Sequence, residues 1–481
     1  MVDRVNLSLQ AVSDWGDANL VKFNATKTQA CLFSAKRSPF QLTPTFQGVS
    51  VPISDHLELL DITLTPTLNF GLYIESKAQV ASKKLGILAK AMSIDTDKLL
   101  HELLHKITNE RDYKNCKLDI KQISSEGANF SSALYTVTIT EQGKEDINIF
   151  VKVANLSEGV RASTPFDVFK IEILFYTDVI KTYKQLEEKH NVPIEHRLVT
   201  PEVYGINPKY FEETIAMENL ISKGYQMFDR FETINWNYSK ESLTQLAKLH
   251  ALSIAFSIEQ PEKFDEITKN IRMNVDVNVM KHAFKMTLMK IQESAKDEHR
   301  DRLKQFMENA MSSDKIVYMM KPINRTILAH GDYRPNNLMH KLREDGTYDI
   351  IPIDYQMMNR SNPILDVLYF LFNGSDKEFR AEYFRKSLDH YYNELCASLT
   401  RLDLNPEEIY PKEDFEYELK EVLPLALFVS LMLLMSITVE LENVPKYDEM
   451  SDIKDLYCTP SEAYKIRMND LLEDCIDMGV L

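Results

Sequence analysis

Asp332, Asn337 and Asp354 lie in one stretch, Ile327–Phe372, as His330-Gly331-Asp332-x-x-x-x-Asn337 followed seventeen residues later by Asp354. Two carboxylates and an amide on loops at strand ends are what phosphoryl transfer to a hydroxyl requires. Its transition state is loose, so a protein mainly positions the reactants and neutralises charge. Asp332 would accept the hydroxyl proton, a role worth ~10²–10⁴ in rate. Asn337 and Asp354 would hold Mg²⁺, a hard ion that takes oxygen ligands and bridges nucleotide phosphates. The competing reading makes Asp332 a turn former and Asn337 a helix cap. The ordered His-Gly-Asp, with a second Asp behind an apolar run, favours the chemical one.

Such residues need elements to hold them. Thr326–Ala329 and Tyr348–Ile353 are apolar, strand-like runs leading into Asp332 and Asp354, the second interrupted by Pro352. An ATP site also needs a lysine for the phosphates and an acid to orient it. Ile147–Val153 reads as a buried strand carrying Lys152, whose charge would be costly there without a partner. Glu172 falls in Phe166–Tyr183, an apolar-periodic helix. A strand lysine paired with a glutamate on the next helix is the protein-kinase arrangement. Ile123–Ile139 reads as a hairpin whose turn would cover the phosphates. It holds only Gly127, so there is no G-x-G-x-x-G and no Walker A motif. Amides of Ala128–Ser132 and the Ser132 hydroxyl could meet phosphates; a plain surface turn explains the segment as well. Thr214–Leu220 reads as a strand ending in a hinge, where backbone around Met217, Glu218 and Asn219 would meet adenine. His250, on the helical run Leu243–Phe256, reads as a core histidine rather than a ligand.

The whole chain has 481 residues, 44% hydrophobic and 27% charged, with a net charge of −16. That composition excludes wholesale disorder and argues against nucleic acid or an anionic membrane as the main partner. Five scattered cysteines show neither a disulfide framework nor zinc-ligand spacing, which suggests a reducing compartment. The first residues lack an apolar targeting core, so a cytosolic location is expected. Leu425–Val439 is shorter than the ~20 residues of a membrane span and follows Pro424, so a buried helix is expected rather than a span. A charge seam divides the chain. Residues 1–91 hold nine Lys and Arg against seven Asp and Glu, and acidic residues are about twice as frequent beyond them. This first piece reads as a small α/β fragment, with helices over Leu7–Ala18 and Leu72–Ala91 and strands over Gln29–Ser34 and His56–Thr65.

Two resemblances accompany these readings. Trp15, Val21–Asn24 and Lys27-Thr28, with the wording through residue 91, resemble the segment beyond the catalytic palm in reverse transcriptases of non-LTR retrotransposons. Residues 1–91 contain no Asp-Asp pair, so the resemblance implies a remnant without polymerase chemistry. Residues ~120–440 resemble the ecdysteroid kinase-like (CHK kinase-like) family of the aminoglycoside phosphotransferase and choline kinase group. The residues that carry this are Gly127, Asn129, Phe130 and Ser132; Val151-Lys152-Val153; Glu172; Leu249-His250-Ala251; the His330–Asn337 motif; Asp354-Tyr355-Gln356; and Ser361 to Phe370.

The second resemblance implies an α+β, two-lobed protein-kinase-like fold, with a small sheet-bearing lobe over 92–220 and a mainly helical lobe over 221–481. It implies ATP and Mg²⁺ as cofactors, Asp332 as base, Asn337 and Asp354 as metal ligands, and Asp366 as a brace for the catalytic loop. The acceptor it implies is a hydroxyl of a small lipophilic molecule, an ecdysteroid-like steroid or a xenobiotic. Departures are Tyr355, where relatives often have Phe, and Ala128, where an acid is usual. Phe428, Leu431, Met432, Met435 and Tyr391-Tyr392 would suit a lipophilic acceptor, but a packed helical core asks for the same residues. Two other functions stay open at this level: a silent hormone- or nucleotide-binding relative, and a nucleic-acid binder acting through residues 1–91. The oligomeric state is not written in the sequence.

Overall fold

The computed structural model describes residues 2–18, 22, 30–31, 43–54, 57–59, 62–64, 95–123, 132–156, 161, 167–271, 287–310, 322–440 and 459–481. The chain forms two compact units, Met1–Ser93 and Ile94–Leu481.

In the first unit, helix α1 (Val2–Ala18) is followed by short strands β1 (Ala30–Cys31), β2 (Thr45–Phe46), β3 (Val49–Ser50), β4 (Ile53–Ser54), β5 (Leu57–Leu59) and β6 (Ile62–Leu64). β1 pairs in parallel with β4, whereas β2–β3 and β5–β6 are antiparallel pairs. Within His56–Thr65, expected as a single strand, the described residues form two, β5 and β6, paired antiparallel. The helix expected over Leu72–Ala91 lies outside the described residues.

The second unit begins with α2 (Thr96–Glu110), capped by Asp95, whose side chain accepts from the Lys98 amide. Strands β7 (Lys117–Ile123), β8 (Ser132–Thr140), β9 (Ile147–Ala154), β10 (Val203–Asn207) and β11 (Thr214–Glu218) form an antiparallel sheet in the order β10-β11-β9-β8-β7. Side chains alternate faces along a strand. Ile149, Val151 and Val153 of β9 thus pack with Leu100, Leu104 and Ile107 of α2. Phe150 and Lys152 point the other way, into a cleft. Gly205 on β10 lets α2 approach closely: a Cβ there would meet Ile107 at 3.1 Å.

Beyond the sheet, α3 (Val168–Leu174) runs through a π-helical turn (Phe175–Val179) into α4 (Ile180–Lys189), longer than the helix expected over Phe166–Tyr183. The larger lobe contains α5 (Trp236–Glu259), α6 (Pro261–Asn270), α7 (Asp297–Ala310), α8 (Pro363–Gly374), α9 (Lys377–Arg401), α10 (Lys412–Ile437) and α11 (Glu462–Asp477). Two small ladders complete it: β12 (Ile327–Ala329) with β15 (Asn359–Ser361), and β13 (Leu338–Leu342) with β14 (Tyr348–Pro352). A sheet-bearing lobe joined to a mainly helical one defines an α+β, two-lobed kinase-like fold.

Pro424 lies inside α10 rather than ahead of it. Proline leaves the carbonyl four residues earlier without its helical donor, and that residue, Lys420, is exposed, so water can serve it. By length and composition α10 is apolar enough to cross a membrane, but 56% of its most apolar window is buried inside the protein. Phe428, Leu431, Met435, Tyr391 and Tyr392 belong to the same buried cluster, the packed-core alternative.

His190 ties three elements together. Its Nε2 meets Glu259 at 2.6 Å and its Nδ1 meets Asp403 at 2.8 Å. Burial disfavours the imidazolium, but the two carboxylates outweigh it and raise the His190 pKa above 6.5. The raised folded value means the bridge contributes fully below the unfolded pKa and is lost as pH rises through the folded one. His190→Gln is therefore expected to lower the melting temperature more at pH 5.5 than at pH 8.5. Equal losses in melts at the two pH values would contradict the bridge.

Candidate functional site

Lys152 stands at the centre of the cleft. Its Nζ lies 2.7 Å from Glu172 Oε2 on α3 and 2.8 Å from Asp354 Oδ1, and only 6% of its side chain is exposed. Burial works against its charge, but Asp354 and Glu172 together raise its pKa above the ordinary lysine value. Burial dominates at Glu172 and lifts its carboxyl to about 7 despite Lys152. Burial would also lift Asp354, but Lys152, followed by Arg334 and His330, holds it below the usual carboxylate range.

Local structure explains how these groups meet. Asp354 follows β14 in the left-handed region (φ 65°, ψ 59°) and starts the 3₁₀ turn Tyr355–Met357. Tyr355 stacks on Phe175 of the π-helical turn at 3.4 Å between ring centroids and lies 4.6 Å from His330, joining α3 to the catalytic loop. The β13–β14 ladder is extended by Ile353 N donating to Asn337 O at 2.9 Å, which puts Asn337 and Asp354 at the same end of one hairpin.

Asp332 is held from three sides. Tyr369 OH donates to its Oδ1 at 2.5 Å and Asn337 Nδ2 donates to its Oδ2 at 2.8 Å. Arg334 Nε lies 3.1 Å from Oδ1. The loop itself is pinned by Asp366 on the first turn of α8, which accepts from the amides of His330 (2.7 Å) and Gly331 (3.1 Å). Burial would raise the Asp366 pKa, but His250 outweighs it and keeps the carboxylate ionised. His250 is fully buried between Asp366 and Tyr391. Burial lowers the His330 pKa. Its Nδ1 accepts from the Asp332 amide at 3.3 Å and its Nε2 donates to Ile353 O at 3.0 Å, which fits the neutral ring. Gly331 has φ +79°, and a Cβ there would sit 2.1 Å from Met357 O, so only glycine closes this turn.

A cavity of about 540 Å³ runs from these groups toward β11, lined among others by Phe150, Lys152, Met217, Asn337 and Asp354. Glu218 and Asn219 also line it. Their amides, however, donate to Glu202 O and Asn148 O at 2.8 and 3.0 Å, so the sheet already uses these two donors. Met227–Phe231 and Asn336 form a further wall. No motif in the sequence marks Met227–Phe231, whereas Asn336 belongs to the His330–Asn337 motif. Ser132 starts β8, while Gly127 and Asn129 lie outside the described residues. Asp332 is not among the residues that line the cavity; it lies behind Asn337, which lines it and donates to the Asp332 carboxylate. The sequence reading left Arg334 and Tyr369 without a role, although Arg334 stands two residues after Asp332 in the motif and could have been suspected as its partner.

Asn337 and Asp354 suit a magnesium ion. Both present hard oxygen donors to one cavity, Asp354 is held ionised, and the Asn337 amide is fixed through Nδ2 so that Oδ1 is left to face a ligand.

The Tyr355 hydroxyl is buried and has no hydrogen-bond partner among the described residues. An unsatisfied buried hydroxyl costs about 1–3 kcal/mol. Tyr355→Phe, which keeps the stack on Phe175, is expected to raise the melting temperature; a lower one would show that the hydroxyl is satisfied.

The site and fold define a kinase-like protein. The model of the ecdysteroid kinase-like family matches residues 126–404, more than half of the sequence, and the chain belongs to that family. Membership supports a small-molecule phosphotransferase. Among solved structures, an ethanolamine kinase from Plasmodium vivax is similar at 13% identity, covering 83% of this chain and 96% of that one with a TM-score of 0.41. The GDP complex of aminoglycoside 2'-phosphotransferase-IIIa matches at 12% identity over 78% and 99% of the two chains, TM-score 0.39. An aminoglycoside phosphotransferase from Streptomyces rimosus, in complex with ADP and streptomycin, matches at 13% identity over 64% and 92%, TM-score 0.29. No curated protein matches the sequence significantly.

Proposed function

We propose that the protein transfers the terminal phosphoryl group of ATP to a hydroxyl of a small, lipophilic alcohol, an ecdysteroid-like steroid or a xenobiotic. The observation that carries this reading is the position of Lys152 between Glu172 and Asp354, in the cavity that Asn337 also lines next to Asp332. Lys152 bridges Glu172 and Asp354; with nucleotide present it would turn to the phosphates, Glu172 keeping its orientation. Asn337 and Asp354 would hold Mg²⁺, which when bound neutralises charge on the phosphates. Asp332 takes the acceptor proton, its carboxylate aimed by Tyr369, Asn337 and Arg334.

The test is incubation with γ-labelled ATP, Mg²⁺ and a panel of steroid and xenobiotic alcohols. Labelled, alkaline-phosphatase-sensitive product is expected; nucleotide binding without transfer to any hydroxyl compound would favour a silent binding relative instead. Residues 1–91 are read as a transposon-derived segment with no part in this chemistry. Deleting residues 1–93, the first compact unit, is expected to leave turnover within about twofold, a change worth only ~0.4 kcal/mol in barrier height. A tenfold loss in the same assay would contradict that reading.

A further inference from the structure

Arg334 is more than a counterion. Its Nε reaches Asp332 at 3.1 Å, yet Nη1 and Nη2 make no hydrogen bond among the described residues. The side chain is only 16% exposed, and the two Nη donors are not among the fully buried polar atoms left without a partner, so what exposure remains leaves them open to a ligand. A guanidinium that offers free donors from an otherwise buried side chain is suited to an anionic partner. Two observations place that partner. Arg334 is two residues from Asp332 and three from Asn337 on one tight loop, and Asp354, at the same end of the hairpin as Asn337, is close enough to help raise its pKa. Asn337 bonds the same Asp332 carboxylate as Arg334 and lines the cavity with Asp354, which links Arg334 to the side of the site where the candidate metal ligands lie.

We propose that Arg334 is a catalytic residue whose Nη1 and Nη2 donate to the oxygens of the phosphoryl group during transfer, while Nε keeps Asp332 aimed at the acceptor. This rests on the phosphotransferase reading above. In the step, the acceptor hydroxyl oxygen forms a bond to the terminal phosphorus as the bond from that phosphorus to the β–γ bridging oxygen breaks. The electron pair leaves with the nucleoside diphosphate, and the hydroxyl proton goes to Asp332 and then to water. Arg334 neither gains nor loses a proton; it stabilises charge that spreads over the transferred oxygens. A guanidinium suits that task because its planar fork can bond two oxygens at once.

The test uses the full chain with Mg²⁺ and ADP, with and without aluminium fluoride, whose planar complex mimics a phosphoryl group in transit. Wild-type protein is expected to bind ADP more tightly when fluoride is present. Arg334→Ala should keep its ADP affinity and lose about 10²-fold of the fluoride-dependent tightening, and Arg334→Lys should restore part of it. Tyr369→Phe removes a different donor from Asp332, so it separates the two roles. Tightening retained in Tyr369→Phe but lost in Arg334→Ala supports a direct contact, whereas equal losses in both reduce Arg334 to a positioning residue and overturn the proposal. Undiminished tightening in a folded Arg334→Ala protein also overturns it. ADP binding by wild type without any tightening rejects the clamp but leaves the nucleotide site standing; no ADP binding rejects both.

Discussion

Asp332→Asn is expected to reduce phosphorylated product by about 10²–10⁴-fold while ATP binding stays within about threefold, a difference of only ~0.7 kcal/mol. The substitution is nearly isosteric and keeps one carbonyl oxygen for the Tyr369 hydroxyl or the Asn337 amide, so the loop held by Asp366 should keep its shape. What it removes is the capacity to take a proton. Turnover and nucleotide affinity measured side by side check this. Unaltered turnover in the variant would reject Asp332 as the base.

Lys152→Met should have the largest effect on stability. It deletes the cation shared by Glu172 and Asp354 and leaves two carboxylates in a site where Glu172 is only 1% and Asp354 15% exposed. Removing one partner of a buried ion pair costs about 3–5 kcal/mol, because the remaining charge is uncompensated. Glu172 offers an internal control, since burial already lifts its carboxyl to about 7. Without Lys152 that carboxyl stays protonated near neutral pH, so adding Glu172→Gln should change little at pH 6 and recover part of the loss at pH 9, where a stranded charge remains to be removed. Denaturant unfolding of the three proteins is the measurement. A single variant as stable as wild type, or a double variant less stable than the single, would mean the three side chains are not coupled as described.

The parts of this site that were legible in the sequence are those whose geometry is local or periodic. Asp332 and Asn337 share one loop, and a short hairpin carries the chain on to Asp354, so a motif suffices to bring them together. Lys152 could be read because a charge inside an apolar strand demands a partner, and Glu172 because it follows on the next helix. Two features were not legible because they depend on backbone conformation: the left-handed Asp354 that turns its carboxylate toward Lys152, and the π-helical turn that puts Phe175 on Tyr355. The Tyr369 bond to Asp332 spans 37 residues and needs α8 to fold back against the loop. The hinge was found as a strand end, but not that the sheet uses the amides of Glu218 and Asn219. Pro424 reads as a boundary because interior proline usually breaks a helix; the carbonyl it leaves without a donor belongs to Lys420, an exposed residue, which lowers that cost.

The most direct test is a crystal structure of the protein with a non-hydrolysable ATP analogue and Mn²⁺, located by its anomalous signal. An anomalous peak is expected within about 2.2 Å of both Asn337 Oδ1 and an Asp354 carboxylate oxygen, with the terminal phosphate facing Asp332. Manganese elsewhere, for instance at the surface group Glu298, His299 and Glu473, or a triphosphate pointing away from Asp332, would contradict it.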